Sequence, residues 1–312
     1  MGNLKAKHIL GISHLDRDEI AFILDTAESM KDILERPIKK VPPLRGKTIV
    51  SLFFEPSTRT KLSFDLAAKR LSADTVGISA STSSVVKGET LIDTARNIEA
   101  MKPDIIVMRH SMSGAPHLIS RYVGSAVINA GDGTNEHPSQ ALLDLLTVRE
   151  HFGTLEGLNV TIIGDIAHSR VAHSDILAFT AMGSRVTVCG PATMMPPEAE
   201  QLGARVCLDI REAVRDAHVV MALRIQKERQ GRLSPFPSER EYSKRFGLSK
   251  AIVPHLRKDA IIMHPGPINR GVEMSPEIAD GINSVILQQV TNGVAVRMAL
   301  FTLLLADVQR VN

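Results

Sequence analysis

Short apolar, β-branched runs alternate with helix-period segments along most of the chain, and this alternation limits the fold more tightly than any other feature. A parallel neighbour strand needs a crossover of a dozen or more residues, usually a helix, so the pattern predicts an α/β protein of helix-wrapped parallel sheets. In the first half, strands are expected near 47–54, 74–79, 104–109 and 126–130, with helices near 59–71, 90–101, 115–123 and 139–152. A second series starts at Asn159, with strands near 159–164, 185–189, 205–207, 218–222 and 260–263 and helices near 170–182 and 196–202. Gly153 and Gly157 interrupt the pattern between the two series. The expected division is therefore 1–138 for one domain, 139–149 for an interdomain helix and 150–286 for a second domain. The apolar, helix-period segment of about 287–312 is expected to pack back on the first domain. With 312 residues, 44% of them hydrophobic, the chain can fill two cores.

Ligands of open parallel sheets bind beyond the carboxyl ends of the strands, and the polar clusters of this chain fall there repeatedly. Ser57-Thr58-Arg59-Thr60 follows the first strand, Arg109-His110 the third, and the segment holding His137 and Gln140 the fourth. In the second half His168-Ser169-Arg170, Arg224-Ile225-Gln226 and His264-Pro265-Gly266-Pro267 follow strands in the same way. One site in a cleft between the two domains is expected. The Ser57–Thr60 tetrad leads a helix in which Leu62, Leu66 and Ala67 recur, so its backbone N–H groups and partial positive charge point outward as an anion site. A Ser-Thr pair before a helix is most often only a cap. The arginine within this one shifts the balance toward a bound phosphate.

Several function classes lack their residues. The formal charge is only +3, from 37 basic and 34 acidic side chains, so there is no broad cationic field for nucleic acid. Two cysteines, Cys189 and Cys207, suit a reducing cytoplasm and imply neither a disulfide framework nor a structural zinc. No secretory h-region and no run of about 20 apolar residues appears, so no membrane association and a cytoplasmic location are expected. P-loop, Gly-x-Ser-x-Gly and His-Glu-x-x-His patterns are absent, and Gly164 stands alone where a dinucleotide fold needs Gly-x-Gly-x-x-Gly. No cofactor and no metal are expected. What remains is a site rich in cations, with Arg59, Lys87, Arg109, Arg170 and Arg224, which suits small anionic substrates.

Phe53-Phe54-Glu55-Pro56-Ser57-Thr58-Arg59-Thr60 resembles the carbamoyl phosphate signature of the aspartate and ornithine carbamoyltransferases. Val86-Lys87-Gly88-Glu89-Thr90, Met108-Arg109-His110, His137-Pro138-Ser139-Gln140, Ser169-Arg170-Val171-Ala172-His173-Ser174, Arg224-Ile225-Gln226-Lys227-Glu228-Arg229 and His264-Pro265-Gly266-Pro267 follow in that family's order, nearly end to end. The resemblance implies attack of an amine on carbamoyl phosphate, with Arg59, Thr60, Arg109 and His137 as the catalytic set. Ser57, Thr58, Arg59 and Thr60 would take the phosphate, and Thr60, Arg109 and His137 the carbonyl oxygen. Gln140 and the carbonyls near Gly266 and Pro267 would take the carbamoyl amide, and Arg170, Arg224 and Gln226 the acceptor's carboxylates. The ornithine branch carries a His-Cys-Leu-Pro segment where this chain has His264-Pro265-Gly266-Pro267, which points to aspartate as acceptor. The resemblance further implies a homotrimer with shared sites, in which Ser83 (or Ser84) and Lys87 of the Ala80–Gly88 loop enter a neighbouring subunit's site. Regulatory chains or a dihydroorotase occur as further partners among related enzymes. The Gln226–Phe246 stretch, long and broken by Gly231, Pro235 and Pro237, is expected to be an irregular closing loop. His110, His168 and His173 are expected to be structural.

Overall fold

A computed structural model describes residues 4–79, 89–226 and 238–306. Ser83, Ser84 and Lys87, with the rest of the expected subunit-crossing loop, lie outside the described residues, as does 227–237 of the expected closing loop. The chain divides into two units, one running to Leu146 and resuming at Thr291, the other Thr147–Val290.

The first unit contains α1 (Arg17–Glu35), β1 (Thr48–Phe53), α2 (Thr58–Arg70), β2 (Asp74–Ser79), α3 (Leu91–Glu99), β3 (Ile105–His110), α4 (Ala115–Ser120), β4 (Ala126–Asp132) and the start of α5 (Pro138–Phe152). Its strands form one parallel sheet in the order β2-β1-β3-β4. The interior strands are buried on both faces, which is why Thr48-Ile49-Val50-Ser51-Leu52-Phe53 reads as a continuous apolar run rather than an alternating one. Helices α3 and α4 close one face through Ala95, Ile98, Ala115 and Ile119, packed on Val50, Leu52, Ile106, Met108 and Val127. Each fully buried side chain of the Leu or Ile kind contributes about 1.5–3 kcal/mol.

The second unit contains β5 (Asn159–Ile163), α6 (Arg170–Ala181), β6 (Arg185–Cys189), β7 (Ala204–Cys207), α7 (Ile210–Val214), β8 (Val219–Ala222), α8 (Glu239–Phe246), β9 (Ile261–Met263), α9 (Pro276–Ala279) and the first residues of α10 (Ile286–Ala306). Its parallel sheet has the order β7-β6-β5-β8-β9. The two parallel α/β sheets expected from the alternation are both present. From Thr291 onward α10 belongs with the first unit, as expected for the C-terminal helix. Ala295, Val296, Met298, Ala299, Leu300 and Phe301 are all fully buried there, which accounts for a segment apolar on every side.

Four local features differ from the sequence-based expectations. Helix α1 went unanticipated, although Asp16 and Glu19 form a reciprocal capping box and Ile20, Ile23, Leu24 and Ala27 make its buried stripe. Residues 196–202 form turns rather than a helix: Pro197 biases Pro196 away from helical dihedrals, and Gly203, at φ +96°, ends the segment six residues later. The end of the expected irregular loop is helix α8, capped by the Ser238 side chain and anchored by buried Tyr242. On α2 the buried face is Phe64, Ala67 and Ala68, whereas Leu62 and Leu66 are exposed, as is Val76 of the edge strand β2.

Candidate active site

Each sheet reverses its winding direction at one place, and both cationic clusters lie there. In the first unit β1 is flanked by β2 on one side and β3 on the other, so the loops leaving β1 and β3 diverge and open a crevice at their carboxyl ends. In the second unit the corresponding pair is β5 and β8.

The loop leaving β1 turns at Pro56 into the N-terminus of α2, with Ser57 in the cap position. The Ser57 hydroxyl makes no cap hydrogen bond to its own helix, and the first helical intrachain bond in this turn runs from Lys61 N–H to Ser57 C=O. Thr58, Arg59 and Thr60 therefore occupy the turn whose N–H groups have no partner within the helix. Ser57 and Thr60 are half-buried and Thr58 and Arg59 exposed, so hydroxyls, N–H groups and one guanidinium gather at the positive end of a 13-residue helix.

Arg109 is brought beside this turn by strand register, since it pairs with Phe53 and its carbonyl accepts from Phe54 N–H at 2.9 Å. Its Nε lies 3.0 Å from Glu55 Oε2, a charge contact rather than an aligned hydrogen bond, and its Nη1 donates to Ala130 C=O at 3.1 Å. Glu55, not singled out from sequence, thus ties the β3 end to the phosphate-type turn. The signal was there: one carboxylate immediately before Pro56 in an otherwise cationic segment.

His137, only 4% exposed, sits at the entry to α5 and is placed by a buried polar network. Asp132 accepts from Asn129 Nδ2 at 2.7 Å, Gly114 N–H at 2.6 Å and Glu136 N–H at 3.1 Å. Glu136 in turn accepts from Ile12 N–H and Ser13 Oγ, and a Cβ added at Gly11 would lie 2.2 Å from its Oε1. Glu136 could not be singled out from sequence, because its partners Ile12 and Ser13 are more than a hundred residues away. One turn further along α5, the Gln140 amide nitrogen donates to both Asp144 oxygens at 3.2 and 3.1 Å, so its Oε1 is the end directed elsewhere. His110 is held edge-on to Phe54, its Nδ1 accepts from Met112 N–H, and burial lowers its pKa against the pull of Glu55 and Asp132.

In the second unit Arg170 is the first residue of α6 and is 2% exposed, with Ser169 capping the helix by accepting from Ala172 N–H at 3.2 Å. Arg224 Nη2 donates to Gln226 Oε1 at 3.1 Å. Buried Asp165, also missed from sequence, connects the two loops: one oxygen pairs with His168 Nδ1 at 2.7 Å, the other accepts from Gln226 N–H at 3.4 Å. Gly164, at φ +144°, allows this approach, since a Cβ there would sit 2.9 Å from Leu223. Beyond β9, His264 Nδ1 accepts from Gly266 N–H, which leaves Nε2 to donate to Glu273 Oε1 at 3.3 Å, and the Gly266–Pro267 peptide is cis. Arg59, Thr60, Ser57, Thr58 and Arg109 are thus gathered at one crevice, with His137 at the entry to the adjoining α5 and Gln140 on it. Arg170, Arg224 and Gln226 are gathered at the other, with Gly266 and Pro267 following the next strand over. Among the described residues no group of three His, Cys, Asp or Glu side chains could hold a metal ion. Within the same residues no helix is long and apolar enough to cross a membrane.

Residues 7–150 match the carbamoyl-P binding domain of aspartate/ornithine carbamoyltransferases, and residues 156–304 match that family's Asp/Orn binding domain. The aspartate carbamoyltransferase catalytic subunit of Desulfotalea psychrophila is 63% identical over 95% of this chain and 93% of its own. Aspartate transcarbamoylase of Trypanosoma cruzi, solved with carbamoyl aspartate and phosphate, superposes with a TM-score of 0.85 at 29% identity, covering 96% of each chain. Ornithine carbamoyltransferase from Pyrococcus furiosus superposes equally well, with a TM-score of 0.84 at 30% identity over 97% of this chain and 96% of its own.

Proposed function

The chain belongs to the aspartate/ornithine carbamoyltransferase family, and we propose on that premise how its own residues carry the aspartate branch of the chemistry. The enzyme transfers the carbamoyl group of carbamoyl phosphate to the α-amine of L-aspartate, giving N-carbamoyl-L-aspartate and phosphate, a reaction of pyrimidine synthesis. The acceptor rests on one observation: 63% identity over 95% of the chain to a protein named for the aspartate reaction. Backbone similarity alone is silent on this point, because an ornithine enzyme superposes as well. The residues agree with aspartate. Two guanidinium groups, Arg170 and Arg224, suit two carboxylates and would repel a cationic amine, and no cysteine stands in His264-Pro265-Gly266-Pro267.

In this reading the phosphate lies on the α2 N-terminus, held by Ser57, Thr58, Arg59 and Thr60. The carbonyl oxygen accepts from Thr60, Arg109 and His137, where negative charge develops as the amine attacks. The carbamoyl amide donates to Gln140 Oε1 and to carbonyls at Pro265–Pro267. Arg170, Arg224 and Gln226 hold the aspartate. Rate then comes from orientation and from donors aimed at the tetrahedral intermediate. Ser83 and Lys87 are assigned to a neighbouring subunit's site in a cytoplasmic homotrimer. The exposed Leu62, Leu66 and Val76 support a face that another copy covers.

The test is carbamoyl transfer by the purified chain, without added metal, to aspartate and in parallel to ornithine. Product with aspartate alone is expected; turnover of ornithine would refute the acceptor assignment. For the trimer, mixing inactive Lys87→Ala and Arg59→Ala chains is expected to restore partial activity, and no recovery after proven subunit exchange would exclude shared sites.

A further inference from the structure

The C-terminal helix α10 carries one charged side chain, and it is buried. Arg297 is 4% exposed on α10, among fully buried Val296, Met298, Ala299 and Leu300. Burying a guanidinium is costly unless it is hydrogen-bonded and paired. Its bonds run to two different helices. Nη1 donates to Ser63 Oγ at 2.8 Å on α2 and to Gly293 C=O at 2.9 Å, and Nη2 lies 3.4 Å from Ser139 Oγ on α5. The guanidinium also stands over the Phe64 ring, 4.8 Å from its centroid. Burial lowers its pKa to about 10, opposed by the charge of Asp144. Asp144 is itself fully buried and is the group on which the Gln140 amide rests.

We propose that Arg297 is a positioning residue for carbamoyl phosphate: it fixes α2 against α5, the helix that carries Gln140. This rests on the assignment of the α2 N-terminus and Gln140 to that substrate. Ser63 lies one turn or so behind Ser57–Thr60 on α2, and Ser139 stands between His137 and Gln140 on α5. One guanidinium therefore sets the spacing between the helix that takes the phosphate and the helix that takes the carbamoyl group. Its fork geometry is required, because a lysine at 297 has a single nitrogen and cannot reach both serines in fixed directions. Misplacing a bound substrate by about 1 Å costs about 10²-fold in rate.

The experiment compares wild type, Arg297→Lys, Arg297→Met and Leu304→Ala, the last a control that trims a buried side chain elsewhere on α10. Thermal unfolding establishes that each is folded at the assay temperature. Steady-state kinetics are measured with either substrate varied, and carbamoyl phosphate binding is measured by calorimetry without aspartate. Arg297→Met is expected to weaken carbamoyl phosphate binding and raise its KM about tenfold or more, with the KM for aspartate changed much less. Arg297→Lys is expected to recover only part of this, and Leu304→Ala to lower the melting temperature without the KM change. Unchanged carbamoyl phosphate KM in a folded Arg297→Met, or the same kinetic loss in Leu304→Ala, would overturn the proposal. If wild type itself fails to bind carbamoyl phosphate, the functional assignment falls instead.

Discussion

Helices α2 and α6 begin in nearly the same way and are used differently. Each leaves the carboxyl end of a strand beside its sheet's reversal point, and each starts with a serine followed within two residues by an arginine. At α6 the serine does what a capping serine does: Ser169 accepts from Ala172 N–H, and Arg170 is buried in the first turn. At α2 the serine caps nothing, and Arg59 is exposed. A side-chain cap occupies one donor of its helix end and leaves the arginine as the main ligand group. A helix end without that cap offers backbone N–H groups, hydroxyls and dipole together, which suits a phosphate, whereas a guanidinium fork suits a carboxylate.

That contrast predicts losses of rate and of phosphate affinity on the first unit, and losses of aspartate affinity on the second. The largest effect is expected for Arg109→Ala, which removes a donor to the carbonyl oxygen and leaves Glu55 without its guanidinium. Its kcat should fall about 10²–10³-fold with both substrates saturating. A kcat within a few fold of wild type would remove Arg109 from the catalytic set. Next, Arg170→Lys should raise the KM for aspartate about 10–100-fold, the worth of a charge-assisted hydrogen bond, with the KM for carbamoyl phosphate nearly unchanged. If the two constants move together, the division of labour between the units is wrong.

The two serines test the contrast directly. Ser169→Ala should cost about 1 kcal/mol of stability, seen in denaturant unfolding, because it deletes a cap. Ser57→Ala should leave stability within about 0.5 kcal/mol and instead raise the KM for carbamoyl phosphate. A destabilised Ser57→Ala with unaltered kinetics would make α2 an ordinary capped helix. The smallest effect concerns the closed interior behind the β5 end, where Cys189 C=O accepts from Gly164 N–H. Burial pushes the Cys189 thiol from an ordinary value of 9.0 up to about 12. Its neutral form is favoured in the folded chain, so this contribution is intact below about pH 9 and lost as pH rises toward 12. Cys189→Ala should therefore show a shallower alkaline decline than wild type, measured as unfolding free energy against pH. An identical slope would mean that the thiol is not sealed.

Much of the fold was legible because parallel strands buried on both faces leave continuous apolar runs, as in Thr48–Phe53 and Asn159–Ile163. Helix α1 was equally legible in its Asp16–Glu19 box, although it precedes the first strand and so stands outside the strand–helix alternation. The 196–202 segment has helical composition but is too short between Pro197 and Gly203 to complete a helix. Of the site, the cationic and hydroxyl residues could be named in advance since their types and order carry the chemistry. The carboxylates around them, Glu55, Asp132, Glu136, Asp144 and Asp165, could not, because an acidic residue looks solvated until its partner is known. Leu62 and Leu66 had the spacing of a buried face and turned out exposed, since spacing alone does not say which stripe of a helix meets the sheet.

By its sequence alone this chain was bound to form two parallel α/β sheets with anion-binding residues at their strand ends. Local periodicity dictates the elements, and side-chain chemistry dictates what the ends attract. Only the tertiary structure decided which ends become neighbours: β1 with β3, β5 with β8, and an arginine 158 residues from the serine it touches. Strand order and long-range pairing come from how helices distant in sequence cover the sheet, and no local window of residues contains that information.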